Sequence, residues 1–446
     1  MSPLDADLGR RTPRWELFAL LGLAVALVIV GAVFAFESRE NTAEQSAVAE
    51  APPDPYATAR QADVQALLDS WARALRSGDT AALAALFDRD AAPGFLDREV
   101  RRAQNLRNVP LADFGFDIGT EPETPVPRET VDALQASDVW MPPVYLRYAV
   151  TGPDAAPTRK PVALTLARRG ETWLLLSDAP VGDRVTWRGP WDFGPLLAKS
   201  VPSGNGRTSV VLGHLDDADN VNALAAEVST AVPAVTELWG TDWARSALVI
   251  ATSSRDEFVE LVGSSYSGSE IAAVSVSDVV RTPPVTGQRV VFSPTAAQRL
   301  DDVTRRAVLR HELTHIATRA VTVDGSPMWL LEGFADYSGY RGTGLSLGRI
   351  APTLVAEVDA FGLPVALPSD ADFAASATAR LAYEQGWAVC AYIAAEFGEP
   401  ALVALYRALA RGPIDEPGVD RVLQEVLGIG TADLVRGWAE WLRPQT

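Results

Sequence analysis

The pentapeptide His311-Glu312-Leu313-Thr314-His315 constrains this chain more than any other feature. The sequence holds only 3 histidines, and two of them stand four residues apart around a glutamate. On a helix, positions i and i+4 share a face about one turn apart, so both imidazoles can reach one metal ion. The glutamate between them can then reach the water that such an ion activates. Val303, Ala307, Val308, Leu313, Ile316 and Ala317 recur at helical spacing around the pair. Asp324-Gly325-Ser326-Pro327 supplies the turn residues that stop this helix.

Two histidines leave a catalytic zinc short of a ligand, because such sites usually offer three protein ligands and one open position. The stretch Pro327-Met328-Trp329-Leu330-Leu331-Glu332-Gly333-Phe334-Ala335-Asp336-Tyr337 supplies the candidate, Glu332. It lies on a second helical segment, after a turn that can fold the two helices together. Trp329, Leu330 and Phe334 would pack that segment into a core and hold Glu332 toward the first helix. Asp336 is one turn further on the same face, where it can accept the second ring N–H of a ligating histidine. The expectation is one Zn2+ per chain.

The paired motifs, His-Glu-x-x-His and then Trp-Leu-x-Glu-Gly-x-Ala-x-Tyr, resemble the gluzincin metallopeptidases, which include thermolysin and the aminopeptidase N group. They are most similar to the bacterial peptidase MA-like domains, and the resemblance covers residues 207–446. It implies a thermolysin-like α+β domain with a helical C-terminal part. It also implies that His311, His315 and Glu332 bind zinc and that Glu312 is the general base of peptide-bond hydrolysis. In that group a tyrosine opening a later helix stabilises the oxyanion, and Tyr383 in Ala382-Tyr383-Glu384-Gln385-Gly386 matches in place. A core tyrosine whose hydroxyl finds a partner is the other reading of Tyr383. Tyr337 follows the ligand so closely that packing is its expected job. Ala272–Val276 matches the edge strand along which substrate would lie, adding backbone hydrogen bonds. Glu270, just before it, either binds an amino terminus or is a surface glutamate.

Other chemistries lack their residues. A net charge of −18 argues against a nucleic-acid partner, which needs a basic stripe. Cys390 stands alone, so thiolate zinc clusters and intrachain disulfides are excluded, and it reads as a small buried residue. For a serine hydrolase only His214 remains as base, and no Gly-x-Ser-x-Gly elbow is present. His214 is expected at a loop or strand end without a catalytic role.

Leu17 to Phe36 is free of charged residues and would span about 30 Å as a helix, the thickness of a bilayer core. Arg10, Arg11 and Arg14 precede it, and Glu37, Glu40, Glu44 and Glu50 follow. The positive-inside bias makes 1–14 a cytoplasmic tail, 15–36 a single-pass transmembrane helix and the remainder extracellular. A cleaved signal peptide is the competing reading, although its apolar region normally runs shorter. Residues 37–59, acidic and rich in Ala and Pro, read as a disordered tether.

Residues 60–180 read as a small α+β domain. Val64, Leu67, Leu68, Trp71 and Leu75 share a helical face, Gly78 ends that helix, and Asp79 caps the next one through Phe87. Strands follow at Phe114–Ile118 and Val144–Val150, with a hairpin of Ala163–Arg168 and Thr172–Leu176. Helices on one face of a curved sheet, with Trp-x-x-Ala-x-x-x-Gly-Asp at Trp71, resemble the cone-like nuclear-transport-factor-2-like fold. Residues 181–206 read as a connector. Ser209–Leu212, Leu248–Thr252 and Arg289–Phe292 are short buried strands in the last domain, and its end is helical.

The combined expectation is a membrane-anchored extracytoplasmic zinc metallopeptidase acting on a peptide or protein substrate. The alternative is an inactive, membrane-tethered scaffold built on a peptidase fold. Oligomeric state is not legible.

Overall fold

The computed structural model describes residues 54–263, 271–278 and 285–443. The stretch read as a transmembrane helix, 15–36, and most of the tether lie outside the described residues, as does Glu270. Among the described residues, no helix is long and apolar enough to cross a membrane.

The chain becomes helical earlier than its composition suggests. Helix α1 spans Pro55–Ser77 because Asp54 caps it, its side chain accepting from the Tyr56 N–H, and Pro55 fits the first helical position. Thus residues 55–59, read as tether, are helix. Gly78, at φ 69, closes α1, and Asp79 then caps α2 (Thr80–Ala84) by accepting from Ala81 and Ala82. Helix α2 stops short of Phe87. Next come α3 (Phe95–Asn105), β1 (Leu111–Ile118), α4 (Arg128–Leu134), β2 (Asp138–Trp140) and β3 (Val144–Val150). Strands β4 (Thr158–Val162), β5 (Thr165–Arg169) and β6 (Thr172–Ser177) complete this part.

These strands form two antiparallel three-stranded sheets, β1-β3-β4 and β2-β5-β6, in place of the single curved sheet expected. The β5–β6 hairpin is as expected, with Gly170 in its turn at φ 62. Helix α1 seats Trp71 flat on Phe116 of β1, ring centroids 4.0 Å apart.

The stretch read as a connector carries a strand. β7 (Leu196–Gly204) pairs antiparallel with β8 (Arg207–His214). Pro202 hides β7 in the sequence, yet proline is tolerated on a sheet edge, and β7 is an edge. Helix α5 (Ala218–Trp239) crosses to β9 (Leu248–Ala251). Helix α6 (Arg255–Val262), β10 (Ala273–Val276) and β11 (Arg289–Phe292) follow. The sheet order is β10-β11-β9-β8-β7, with β11, β9 and β8 parallel and both edges antiparallel.

This sheet is a wall shared by two cores. Val211, Val249, Val290 and Phe292 face one core with α5. Val210, Leu212, Leu248, Ile250 and Val291 face the other, with Phe114, Phe116 and Trp191 of the preceding part. Burial on both faces explains why these strands read as continuous apolar runs without alternation. A buried ion pair, Arg289 to Asp154 at 2.6 Å, ties β11 to the loop after β3.

The remainder is helical: α7 (Ala296–Arg299), α8 (Asp302–Thr318), α9 (Met328–Tyr340), α10 (Leu347–Ile350), α11 (Pro352–Phe361) and α12 (Asp370–Ala374). Then come α13 (Ala379–Phe397), α14 (Glu399–Leu409), α15 (Glu416–Leu427) and α16 (Thr431–Leu442). Cys390 is fully buried in α13, and burial pushes its thiol up.

Candidate metal centre

Helix α8 starts where Asp301 accepts from the Thr304 N–H at 2.8 Å, and it packs beside β10 and α9. Its chain then reverses through a tight turn. Gly325 sits at φ 84, and the Ser326 hydroxyl donates to the Val323 carbonyl at 2.8 Å. The first turn of α9 is fastened from a distance, because the Met328 N–H donates to Asp370 of α12 at 2.8 Å. Between the two helices the Thr314 hydroxyl donates to Ser338 at 2.7 Å.

Two glycines set how closely α9 approaches its neighbours. A Cβ on Gly333 would lie 2.3 Å from the Gly386 carbonyl of α13, and one on Gly339 would lie 2.6 Å from the Ala307 carbonyl of α8. Both contacts are with backbone, which cannot swing aside. Gly333→Ala is therefore expected to cost about 1–3 kcal/mol, the usual range for overpacking, read as a lower midpoint in denaturant unfolding. A midpoint equal to the parent's would show that α9 and α13 can part freely.

Across this crossing the helices bring three ligand atoms together. His311 Nε2 and His315 Nε2 are 2.9 Å apart. Glu332 Oε2 is 3.4 Å from the first and 3.6 Å from the second. A tetrahedral zinc with bonds near 2.0–2.1 Å separates its ligand atoms by about 3.3 Å, so the spacings fit one such ion. All three side chains are buried.

The groups behind them fit as well. His311 Nδ1–H donates to Asp336 Oδ1 at 2.8 Å, which leaves Nε2 as the atom facing His315 and Glu332. Neither carboxylate oxygen of Glu312 or of Glu332 has a hydrogen-bond partner among the described residues. Buried orphan acceptors of this kind are costly unless a ligand or ion meets them. His315 Nδ1 is also buried without a partner among the described residues.

Electrostatics point the same way. Burial opposes charge on His311, yet the carboxylates of Asp336, Glu332 and Glu312 outweigh it and raise the imidazole well above its ordinary value. Burial raises Asp336 and Glu312, against the pull of the imidazoles. In Glu332 the histidines win over burial and lower the carboxyl. Three buried carboxylates around two imidazoles form an anionic nest that a divalent cation offsets. Asp336→Asn keeps an acceptor for Nδ1–H but removes the charge behind it. It is expected to weaken zinc binding about 10–100-fold, measured by competition with a chromogenic chelator. Unchanged affinity would mean that Asp336 does not orient His311.

The structure thus gathers His311, Glu312, His315, Glu332 and Asp336 in one place. Tyr383 is buried in the first turns of α13, its ring edge-on to Phe373 with centroids 5.1 Å apart. It stands one helical turn before Gly386, where α13 crosses α9 beside Glu332. The Tyr337 hydroxyl donates to Glu399 at 2.8 Å and joins an Arg341–Glu399 ion pair, a packing role. His214 ends β8 with Nε2 2.9 Å from Glu257, in a buried pair. Strand β10 lies at the sheet edge beside α8.

Sequence reading missed Asp370, Ser338 and the pair Gly333 and Gly386. Each acts across helices, so no local pattern announces it.

No family model and no curated protein matches the chain. Among solved structures it is similar to a two-domain M1 zinc metallopeptidase bound to L-arginine. That match has 14% identity and a TM-score of 0.36, over 63% of this chain and 59% of that one. An M1 zinc metallopeptidase from Deinococcus radiodurans shows 15% identity and a TM-score of 0.34, over 61% and 58%. Native yeast LTA4 hydrolase shows 14% identity and a TM-score of 0.36, over 66% and 43%. The matched part therefore spans less than two thirds of each of those proteins.

Proposed function

We propose that the chain is a zinc-dependent peptide hydrolase whose general base is Glu312. One observation carries this reading: two imidazole nitrogens and a carboxylate oxygen converge at ligand spacing, with an unpaired buried carboxylate beside them. His311, His315 and Glu332 would hold the ion. When bound, zinc supplies Lewis acidity to a carbonyl oxygen and brings the pKa of water down to about 7. Glu312 takes the proton from the attacking water and returns it to the leaving amine. Asp336 keeps His311 in the tautomer that presents Nε2. Tyr383 donates to the developing oxyanion. An extended substrate would add to the edge of the five-stranded sheet at β10, Ala273–Val276.

The proposal extends to location. The apolar stretch 15–36 anchors the chain in the cell membrane with its N-terminus inside and the hydrolase outside, as the arginine and glutamate bias supports. The part built from α1 to β6 acts as a nuclear-transport-factor-2-like positioning domain, a reading supported by α1 packed on β1 beside antiparallel sheets.

Zinc analysis and a peptide-library digest, run on the parent and on Glu312→Gln, test the reading. One zinc per chain with cleavage lost in the variant supports a hydrolase. Zinc without cleavage of any library peptide supports the scaffold alternative.

A further inference from the structure

Four arginines meet elsewhere in the molecule, in a pocket of about 250 Å3 lined by Arg98, Arg101, Arg102, Arg188, Asp192 and Phe193. Three of them follow from helical spacing, since positions 98, 101 and 102 of α3 are i, i+3 and i+4. Arg188 comes from the chain between β6 and β7. Its backbone N–H donates to Glu260 of α6 at 2.9 Å, which fixes it at the seam with the five-stranded sheet.

Carboxylates lie among these guanidiniums, and the guanidiniums keep donors beyond those the carboxylates take. Asp192 accepts from Arg102 Nε at 2.7 Å on one oxygen and from the Gly189 N–H at 2.9 Å on the other. Asp178 accepts from Arg98 at 2.6 Å and from Arg188 at 2.5 Å, one on each oxygen. Glu99 accepts from Arg102 Nη1 at 2.9 Å and from Trp71 Nε1 at 3.0 Å. A guanidinium carries five donors, so most N–H groups of this cluster remain to be met. Arg98 Nε is buried with no acceptor, and Arg101 has no carboxylate partner, both among the described residues.

Four guanidiniums stand among Asp178, Asp192, Glu99 and, at the Arg188 backbone, Glu260, and burial pushes Glu99 up to about 7, thinning the negative charge at neutral pH. In a chain of net charge −18, a pocket lined by four arginines and one aspartate runs against the general composition. Packing alone does not call for it. Arginine clusters with free N–H edges are matched by oxyanions, and planar guanidinium forks suit the several oxygens of a phosphate group.

The geometry points to a phosphate-binding pocket formed by Arg98, Arg101, Arg102 and Arg188, taking a phosphate group with Phe193 against its apolar side. The group is borne either by a small soluble phosphate or by a phospholipid headgroup. Neither the metal centre nor its chemistry enters this inference.

The test uses the full chain in detergent, titrated calorimetrically with inorganic phosphate at constant ionic strength. One phosphate per chain is expected, and acetate at the same ionic strength should not displace it. Arg101 is exposed and has no carboxylate partner among the described residues, so Arg101→Ala should fold as the parent does while binding phosphate about tenfold more weakly or worse. Arg101→Lys should recover part of that loss. A second arm measures sedimentation with phosphatidylglycerol vesicles. Binding that depends on Arg101 and is displaced by inorganic phosphate assigns the headgroup as the source, and phosphate binding without it assigns a soluble ligand. The inference is overturned if neither probe binds in an Arg101-dependent way, or if acetate competes as well as phosphate.

Discussion

Replacing Glu312 by glutamine is expected to lower kcat/KM for peptide cleavage by about 10²–10⁴-fold, the usual worth of a positioned general base. Zinc content should stay at one per chain. Glutamine has the same shape, so the fully buried site should keep its packing. What disappears is the capacity to take and return a proton. Neither oxygen of Glu312 has a partner at full hydrogen-bond geometry among the described residues, although Ser275 of β10 stands near enough to favour its charge, so the change should lower stability little. A structural glutamate would behave differently, because removing a buried charge from a working ion pair costs several kcal/mol. Fluorogenic-peptide kinetics, metal analysis and denaturant unfolding on the same sample separate the two cases. Activity retained within a factor of ten would remove Glu312 from the reaction.

The sequence made the centre legible because its ligands obey helical arithmetic. His311 and His315 are four apart on α8, Glu332 and Asp336 four apart on α9, and apolar residues at helical spacing announce both helices. The closeness of the helices was not legible. It depends on Gly333 meeting Gly386 and Gly339 meeting Ala307, contacts between segments that sequence order does not pair. The start of α1 at Pro55 was missed for a different reason. Ala-rich, acidic composition dominated a capping signal, Asp54-Pro55, that was present in the sequence.

The same contrast holds for the sheet. Ser209–Leu212 and Leu248–Thr252 read as buried strands because both faces are covered, as Val210–Leu212 and Leu248–Ala251 are. β7 did not read as a strand because Lys199, Ser200 and Pro202 dilute it. An edge position forgives that composition, and edges are assigned by topology, which local pattern does not give. The arginine pocket escaped notice because its fourth member, Arg188, lies 86 residues beyond Arg102, from 188 − 102.

Substituting Glu332 by glutamine is expected to remove zinc from the chain and with it all measurable cleavage, and the stability change should depend on the metal. An ion that binds only the folded state at a thousandfold excess over its Kd adds about 4 kcal/mol to stability. The parent should show that gain when zinc is returned to chelator-treated protein, and Glu332→Gln should show little of it. In chelator the variant should lose only the smaller contribution that the two imidazoles make to the Glu332 carboxylate. The distances give the reason: Glu332 sits 3.4 and 3.6 Å from the imidazole nitrogens, beyond the 2.7–2.9 Å typical of charge-assisted hydrogen bonds, while His311 keeps Asp336 at 2.8 Å. If Glu332 instead served as a buried ion-pair partner, the variant would lose about 3–5 kcal/mol with or without zinc. Equal losses in both conditions would therefore sink the metal-ligand assignment, even if cleavage had disappeared.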